Sequence, residues 1–221
     1  LEQVARFCQH NVVPTNELGD RDGVVYDPKD HSVKVPKCYH EVVRSMKEMG
    51  YWGLSMPEEY GGGNAPKVVS YAVMEFIAAA NFALSTYPLL THGVTSTVLK
   101  YGSETLIKQY VPAMISGSFS GTMCLTESHC GTDLGLLRST AKPVDGGYEI
   151  SGNKIWITFG EHDLSDNIIH LVLARLPDAP DGVKGISMFL VPKFLQDGSR
   201  NAVFCGGLEH KMGSNGSPTC V

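Results

Sequence analysis

No stretch of this chain is apolar for long enough to cross a bilayer, which takes about 20 consecutive apolar residues. Its most apolar runs, Ile168 to Leu173 and Ile186 to Val191, have the length of buried strands. Positive charge is scarce as well: 18 Lys and Arg stand against 23 Asp and Glu, with no basic stripe, which argues against a nucleic-acid partner. The six cysteines, Cys8, Cys38, Cys124, Cys130, Cys205 and Cys220, form no CxxC pair and suit neither a zinc site nor a disulfide framework. Free thiols in a reducing compartment are expected, hence a cytoplasmic location. The start, Leu1-Glu2-Gln3-Val4, has no initiator Met and no signal-peptide pattern; it reads as entering partway into a helix, with residues expected upstream. Asn215-Gly216-Ser217 fits a glycosylation acceptor by pattern alone.

Several catalytic signatures are absent too. There is no GxSxG elbow for a hydrolase and no HExxH for a metalloprotease. Gly61-Gly62-Gly63 lacks the GxxxxGKS/T and GxGxxG spacings of phosphate loops and reads as a flexible turn. His129, His162, His170 and His210 lie near Glu161, Asp163 and Glu209 without metal-ligand spacing, so neutral histidines in loops or half-buried strands are expected and no metal is assigned.

What is present falls into two textures. Up to about Ser118 the chain reads as helical. Tyr39, Val42, Val43, Met46 and Met49 fall at helical spacing before Gly50. Further helices are expected from near Pro66 through Ile77, over Leu89 to Tyr101, and around Leu106 to Met114. Beyond Ser118 come short strands: Thr122 to Leu125, Tyr148 to Ile157 after the Asp145-Gly146-Gly147 turn, Ile168 to Arg175, and Gly185 to Pro192. The expected fold is α+β and multidomain, with an all-α domain over 1–119 and a β-barrel domain over 120–221. Glu127 and Asp133 could form an acid–base pair, or belong to a turn whose polar side chains bond the backbone. Trp156 and Thr158, two apart, would share one face of a strand, either as core or as the wall of a ligand site.

Motifs then narrow the field. Met123-Cys124-Leu125-Thr126-Glu127, followed by Gly131-Thr132-Asp133, resembles the flavin-binding signature of acyl-CoA dehydrogenases. Gly152, Lys154, Trp156, Ile157 and Thr158 match the family's Gly-x-Lys-x-Trp-Ile-Thr, and Lys211-Met212-Gly213 with Ser217 and Thr219 match a third element. The three occur in family order, and the resemblance spans the chain. The runs Ser128 to Asp133, Gly160 to Leu164 and Gly207 to Gly213 look closer to a branch of large bacterial 3-(methylthio)propanoyl-CoA and fatty acyl-CoA dehydrogenases. Ser128 stands where Pro is usual and Phe159 where a small or amide residue is usual, departures that bear on loop geometry and substrate size.

The resemblance implies an FAD enzyme that desaturates acyl-CoA thioesters, the flavin supplying the redox step and the protein position and electrostatics. It implies cofactor contacts from Met123, Leu125, Thr126, Gly131, Thr132, Trp156, Ile157 and Thr158. Leu125 and Thr126 would bond the pyrimidine edge of the flavin ring, Trp156 would lie against it, and Thr158 would reach toward N5. Thr132 would contact the cofactor or the CoA part of the substrate; Leu90 and Thr91, with Leu89 and Val94 beside them, would face the acyl part, plain helix packing being the alternative for each of these four. No catalytic residue is assigned. In the family a glutamate in a following helical domain takes the α-proton, and that bundle is expected beyond Val221. An electron-transfer flavoprotein is the implied acceptor and a homo-oligomer the implied assembly. An acyl-CoA oxidase or flavin monooxygenase of the same fold is the alternative chemistry, and a non-catalytic scaffold the alternative class.

Overall fold

The computed structural model describes residues 1–221. Helix α1 (Glu2–Phe7) runs through a widened π turn at Cys8–Val12 into α2 (Val13–Asp22). Pro14 sits at that junction and has no N–H to give the carbonyl of His10, so the regular ladder cannot be kept there. A two-stranded hairpin follows, β1 (Val25–Asp27) against β2 (Ser32–Lys34), in a region expected to be helical. Its strands are too short to show alternation, and its turn is set by polar side chains. Asp27 and Asp30 accept from the N–H groups of Lys29 and Ser32, each at 2.9 Å.

Helix α3 (Lys37–Glu48) buries Tyr39, Val42, Val43 and Met46, the stripe that the spacing anticipated. The glycine triplet is a packed turn rather than a flexible one: a Cβ on Gly62 would lie 2.1 Å from the Met56 carbonyl oxygen. Helix α4 (Lys67–Ala80) starts after Pro66, and α6 (Glu104–Ser116) is capped by Ser103. Helix α5 (Phe82–Tyr101) begins a full two turns before the expected Leu89. The helix carries Pro88 in its interior, and buried Asn81 caps its first turn while also bonding the Thr15 hydroxyl at 3.0 Å.

The second half is a sheet centred on β7 (Asn167–Arg175), whose residues Asn167 to Val172 are all buried. On β7 lie β3 (Phe119–Cys124), parallel, and β8 (Ile186–Pro192), antiparallel; β4 (Thr140–Val144) joins through Thr140 and Arg175 and pairs with β5 (Gly147–Ser151) around the expected Asp145-Gly146 turn. A separate ladder pairs β6 (Ile157–Thr158) with β9 (Thr219–Cys220). The helical region followed by a strand-rich region is as expected, but the strands form an open five-stranded sheet and a two-stranded ladder, not a closed barrel.

The two halves share their cores. Phe159 and Leu164 pack among Tyr39, Met46, Trp52 and Tyr87, while Ile169 and Leu171 of β7 pack with Val94, Val98 and Met114. The closest approach is between α5 and β3, where the Gly121 N–H donates to the Thr91 hydroxyl at 3.1 Å. A Cβ on Gly121 would sit 2.6 Å from the Val94 Cβ. Gly121→Ala is therefore expected to destabilise the chain by about 1–3 kcal/mol in urea unfolding, with Val94→Ala in the same chain recovering little of that loss because alanine keeps the Cβ. An Ala at 121 with unchanged stability would mean that this contact has slack.

Candidate functional site

The chain leaves β3 at Cys124 and runs as Leu125–Thr126 beside the segment 154–156. The Ile155 N–H donates to the Thr126 carbonyl at 2.9 Å, and the Lys154 ammonium to the Leu125 carbonyl at 3.2 Å. One turn of the path later, the Thr122 hydroxyl donates to the Thr158 carbonyl at 2.7 Å. Thr158 pairs with Thr219 across the β6–β9 ladder, and the Phe159 N–H donates to the Pro218 carbonyl at 2.8 Å. Three sequence motifs far apart along the chain thus meet in one place.

Trp156 does not lie in a strand. Its φ is +59° and that of Phe159 is +51°, so left-handed residues bracket the two-residue strand β6. Alternation along a strand therefore does not explain why Trp156 and Thr158 are neighbours. Each bulky residue held in that region costs on the order of 1–3 kcal/mol and persists only where its surroundings impose it. The effect is to turn the two rings different ways. Phe159 is buried against Tyr87, with ring centroids 5.1 Å apart, whereas Trp156 remains 49% exposed. Met123, Leu125, Thr126 and Thr158 are half-buried and Ile157 is buried. The Thr158 carbonyl is taken by Thr122, which fixes the backbone that carries the half-buried Thr158 hydroxyl. The result is an open aromatic wall with a polar rim.

A buried ion pair holds this wall. Glu127 receives the Ser139 hydroxyl (2.6 Å) and N–H (2.9 Å), the Arg138 N–H (2.8 Å) and the Lys154 ammonium (2.9 Å). Burial works against its charge, but the Ser139 hydroxyl, the Arg138 N–H, Lys154 and the Ser139 N–H outweigh it and hold the carboxyl down at about 2. Glu127 is thus a fixed anion rather than half of an acid–base pair. Asp133 is exposed and bonds the Gly135 N–H at 3.0 Å, the turn role. Glu127, His129 and Cys130 offer ligand atoms within 4.8 Å of one another. Glu127 Oε1 already takes three hydrogen bonds and Oε2 the Arg138 N–H, however, and His129 Nε2 faces the Leu136 carbonyl at 2.9 Å.

Other anticipated residues fall in different settings. Gly131 is half-buried and Thr132 exposed on the loop after Thr126. Leu90 is half-buried and Leu89 exposed on α5. Thr91 is fully buried: its hydroxyl donates to the Tyr87 carbonyl and accepts from Gly121, so it joins α5 to β3 instead of lining a pocket. His162 and His170 are completely buried rather than half-buried. Burial first, with the nearby Lys193 in both cases, pushes His162 well below its usual range and His170 to about 3, so both are neutral. Asn215 Nδ2 donates to the Asp20 carbonyl at 2.8 Å, and Gly216 and Ser217 are buried, a poor setting for a glycan.

Residues 1–118 match the family model for the acyl-CoA dehydrogenase N-terminal domain, and residues 122–221 that for the acyl-CoA dehydrogenase middle domain. The chain belongs to the acyl-CoA dehydrogenase family. It is 44% identical to the 3-methylmercaptopropionyl-CoA dehydrogenase of Ruegeria pomeroyi, over 100% of this chain and 38% of that protein. To the broad-specificity linear acyl-CoA dehydrogenase FadE5 of Mycobacterium tuberculosis it is 40% identical, over 100% of this chain and 37% of that protein. Among solved structures, a glutaryl-coenzyme A dehydrogenase in complex with glutaryl-CoA superposes with a TM-score of 0.77 at 30% identity, covering 99% of this chain and 51% of that one. The chain therefore spans well under half the length of these two curated relatives. No helix is long and apolar enough to cross a membrane.

Within this acyl-CoA dehydrogenase chain, Lys154 was visible in sequence only as a motif letter, and its partner could not be read from spacing. Glu127→Gln leaves a buried ammonium without its counter-charge and should destabilise the chain by about 2–4 kcal/mol; a Glu127→Gln/Lys154→Met cycle should show coupling above about 1 kcal/mol. Because the folded carboxyl lies below its ordinary 4.5, its stabilising effect is complete above that pH and is lost as pH falls toward about 2. Urea unfolding at pH 7 and at pH 3 should therefore differ less in Glu127→Gln than in the unaltered chain. An equal pH dependence in the two would contradict the assignment.

Proposed function

We propose that this chain supplies the FAD wall and part of the acyl side of an acyl-CoA dehydrogenase that introduces an α,β double bond into an acyl-CoA thioester. The observation that carries the reading is that hydrogen bonds bring together the segments bearing Thr126, Trp156 and Thr158, with the Trp156 side chain half exposed. A half-exposed indole held out by left-handed backbone, with polar groups at its rim, suits a planar, hydrogen-bonding ring such as isoalloxazine. We take 1–119 and 120–221 as the two domains, the boundary falling just after the first residue of β3.

When bound, FAD accepts the hydride that leaves the β carbon. The chain's own residues position and polarise. The backbone of Leu125 and the Thr126 hydroxyl would take the pyrimidine edge, Trp156 one face of the ring, and the Thr158 hydroxyl the neighbourhood of N5. A donor fixed there stabilises charge as it gathers on the ring, and needs no rearrangement because Thr122 and Thr219 already hold its backbone. Met123, Ile157, Gly131 and Thr132 would complete the cofactor contacts, with Thr132 and Leu90 toward the CoA and acyl parts. No residue of this chain is assigned as the base for the α-proton, since Glu127 is consumed by its ion pair. An electron-transfer flavoprotein as acceptor, a homo-oligomer and a cytoplasmic location complete the proposal, the last in keeping with six free thiols.

In the enzyme carrying this chain, Trp156→Ala should weaken FAD binding about tenfold, the loss of one aromatic stacking contact. Thr158→Val should keep FAD but slow acyl-CoA-dependent dye reduction about 10–100-fold. Wild-type flavin affinity in the first variant together with wild-type turnover in the second would overturn the reading.

A further inference from the structure

The segment that carries the wall is anchored at both ends by a buried carboxylate. At its start the anchor is Lys154 on Glu127. At its end it is Glu161, just past Phe159, with its side chain 5% exposed. Glu161 binds the Lys193 ammonium, accepts from Arg200 Nη2 at 3.1 Å and accepts from the His162 N–H at 3.0 Å.

The two cations are themselves fixed. Lys193 follows directly on β8, and Arg200 donates to its carbonyl at 3.1 Å. The Arg200 guanidinium also lies 5.5 Å and 5.3 Å from the ring centres of Phe194 and Phe204. On the other side, the Leu164 N–H donates to His162 Nδ1 at 3.1 Å, so the proton sits on Nε2, which meets the Ser120 hydroxyl of β3 at 2.9 Å. The His162 ring stands edge-on to Phe159 and Tyr87. The stretch 161–162 is thereby tied to β3, β8 and α5 at once.

Between the anchors lie both left-handed aromatic residues, Trp156 and Phe159. Lys154 is the charged anchor where the chain enters this strained bridge and Glu161 the one where it leaves, in addition to the backbone bonds of Thr158 to Thr122 and Thr219 and of Phe159 to Pro218. Without Glu161 the chain just past Phe159 loses its charged tie to the sheet, so the two left-handed residues are held less firmly and the indole gains freedom to leave its outward pose. We propose that Glu161, held by Lys193 and Arg200, is a positioning residue that sets Trp156 and Thr158 for the flavin. It touches neither cofactor nor substrate and acts through the Phe159 turn. The inference rests on the flavin reading of the wall.

Trp52 and Trp156 are the only two tryptophans, so Trp52→Phe leaves Trp156 as the sole reporter. In that background the chain is measured with and without Glu161→Gln for Trp156 anisotropy, acrylamide quenching and the affinity for added FAD. Val111→Ala, a buried truncation on α6 away from the wall, serves as the comparison for general loss of stability. The expected result for Glu161→Gln is lower anisotropy, about twofold easier quenching and about tenfold weaker FAD binding, while Val111→Ala loses stability and changes none of the three. Unchanged Trp156 order in Glu161→Gln, or the same changes in Val111→Ala, would overturn the proposal. If Glu161→Gln loosens Trp156 while its FAD affinity stays that of the unaltered protein, the anchor stands and the flavin reading of the wall falls.

Discussion

The pair formed by Glu127 and Lys154 is the constraint on which the site depends. It joins the end of the first motif to the start of the second, and these lie 27 positions apart in sequence. A carboxylate this buried is tolerable only because Ser139, Arg138 and Lys154 saturate it. Beside the pair, the Ile155 N–H bonds the Thr126 carbonyl, Trp156 takes a left-handed angle, and the Thr122 hydroxyl bonds the Thr158 carbonyl. The site is an outcome of charge pairing and backbone hydrogen bonds more than of hydrophobic packing.

Packing has a different task. The helical and sheet halves do not keep separate cores; Phe159 enters the helical core beside Tyr87, and Val94 meets the bare backbone of Gly121. The wall is therefore referenced to α5 as well as to the sheet, which is what a cleft between two layers requires. Burial of Phe159 and exposure of Trp156 are two sides of one local backbone choice, made by residues that ordinarily avoid it.

Sequence reasoning reached the long elements because their periodicity is strong: the stripe Tyr39, Val42, Val43 and Met46 in α3, and the apolar run of β7. It missed the hairpin at 25–34, whose three-residue strands carry no period, and the early start of α5, which begins at Phe82. At the site, the motifs gave the identities of Thr126, Trp156 and Thr158, but the reason for their proximity was misjudged, since a strand face was expected where a left-handed turn stands. Thr91 was expected at a pocket because α5 was expected to line one; its hydroxyl instead closes the joint with β3. Glu127–Lys154 and Glu161–Lys193–Arg200 were out of reach, because pairings across the sheet leave no mark on spacing.

The most direct measurement is a crystal structure of this chain grown with FAD. The account predicts the isoalloxazine lying against the Trp156 indole, its pyrimidine edge at Leu125 and Thr126 and N5 near the Thr158 hydroxyl, with the Glu127–Lys154 pair intact. Flavin bound elsewhere on the chain, or Trp156 folded back onto the protein with its surface closed, would contradict it.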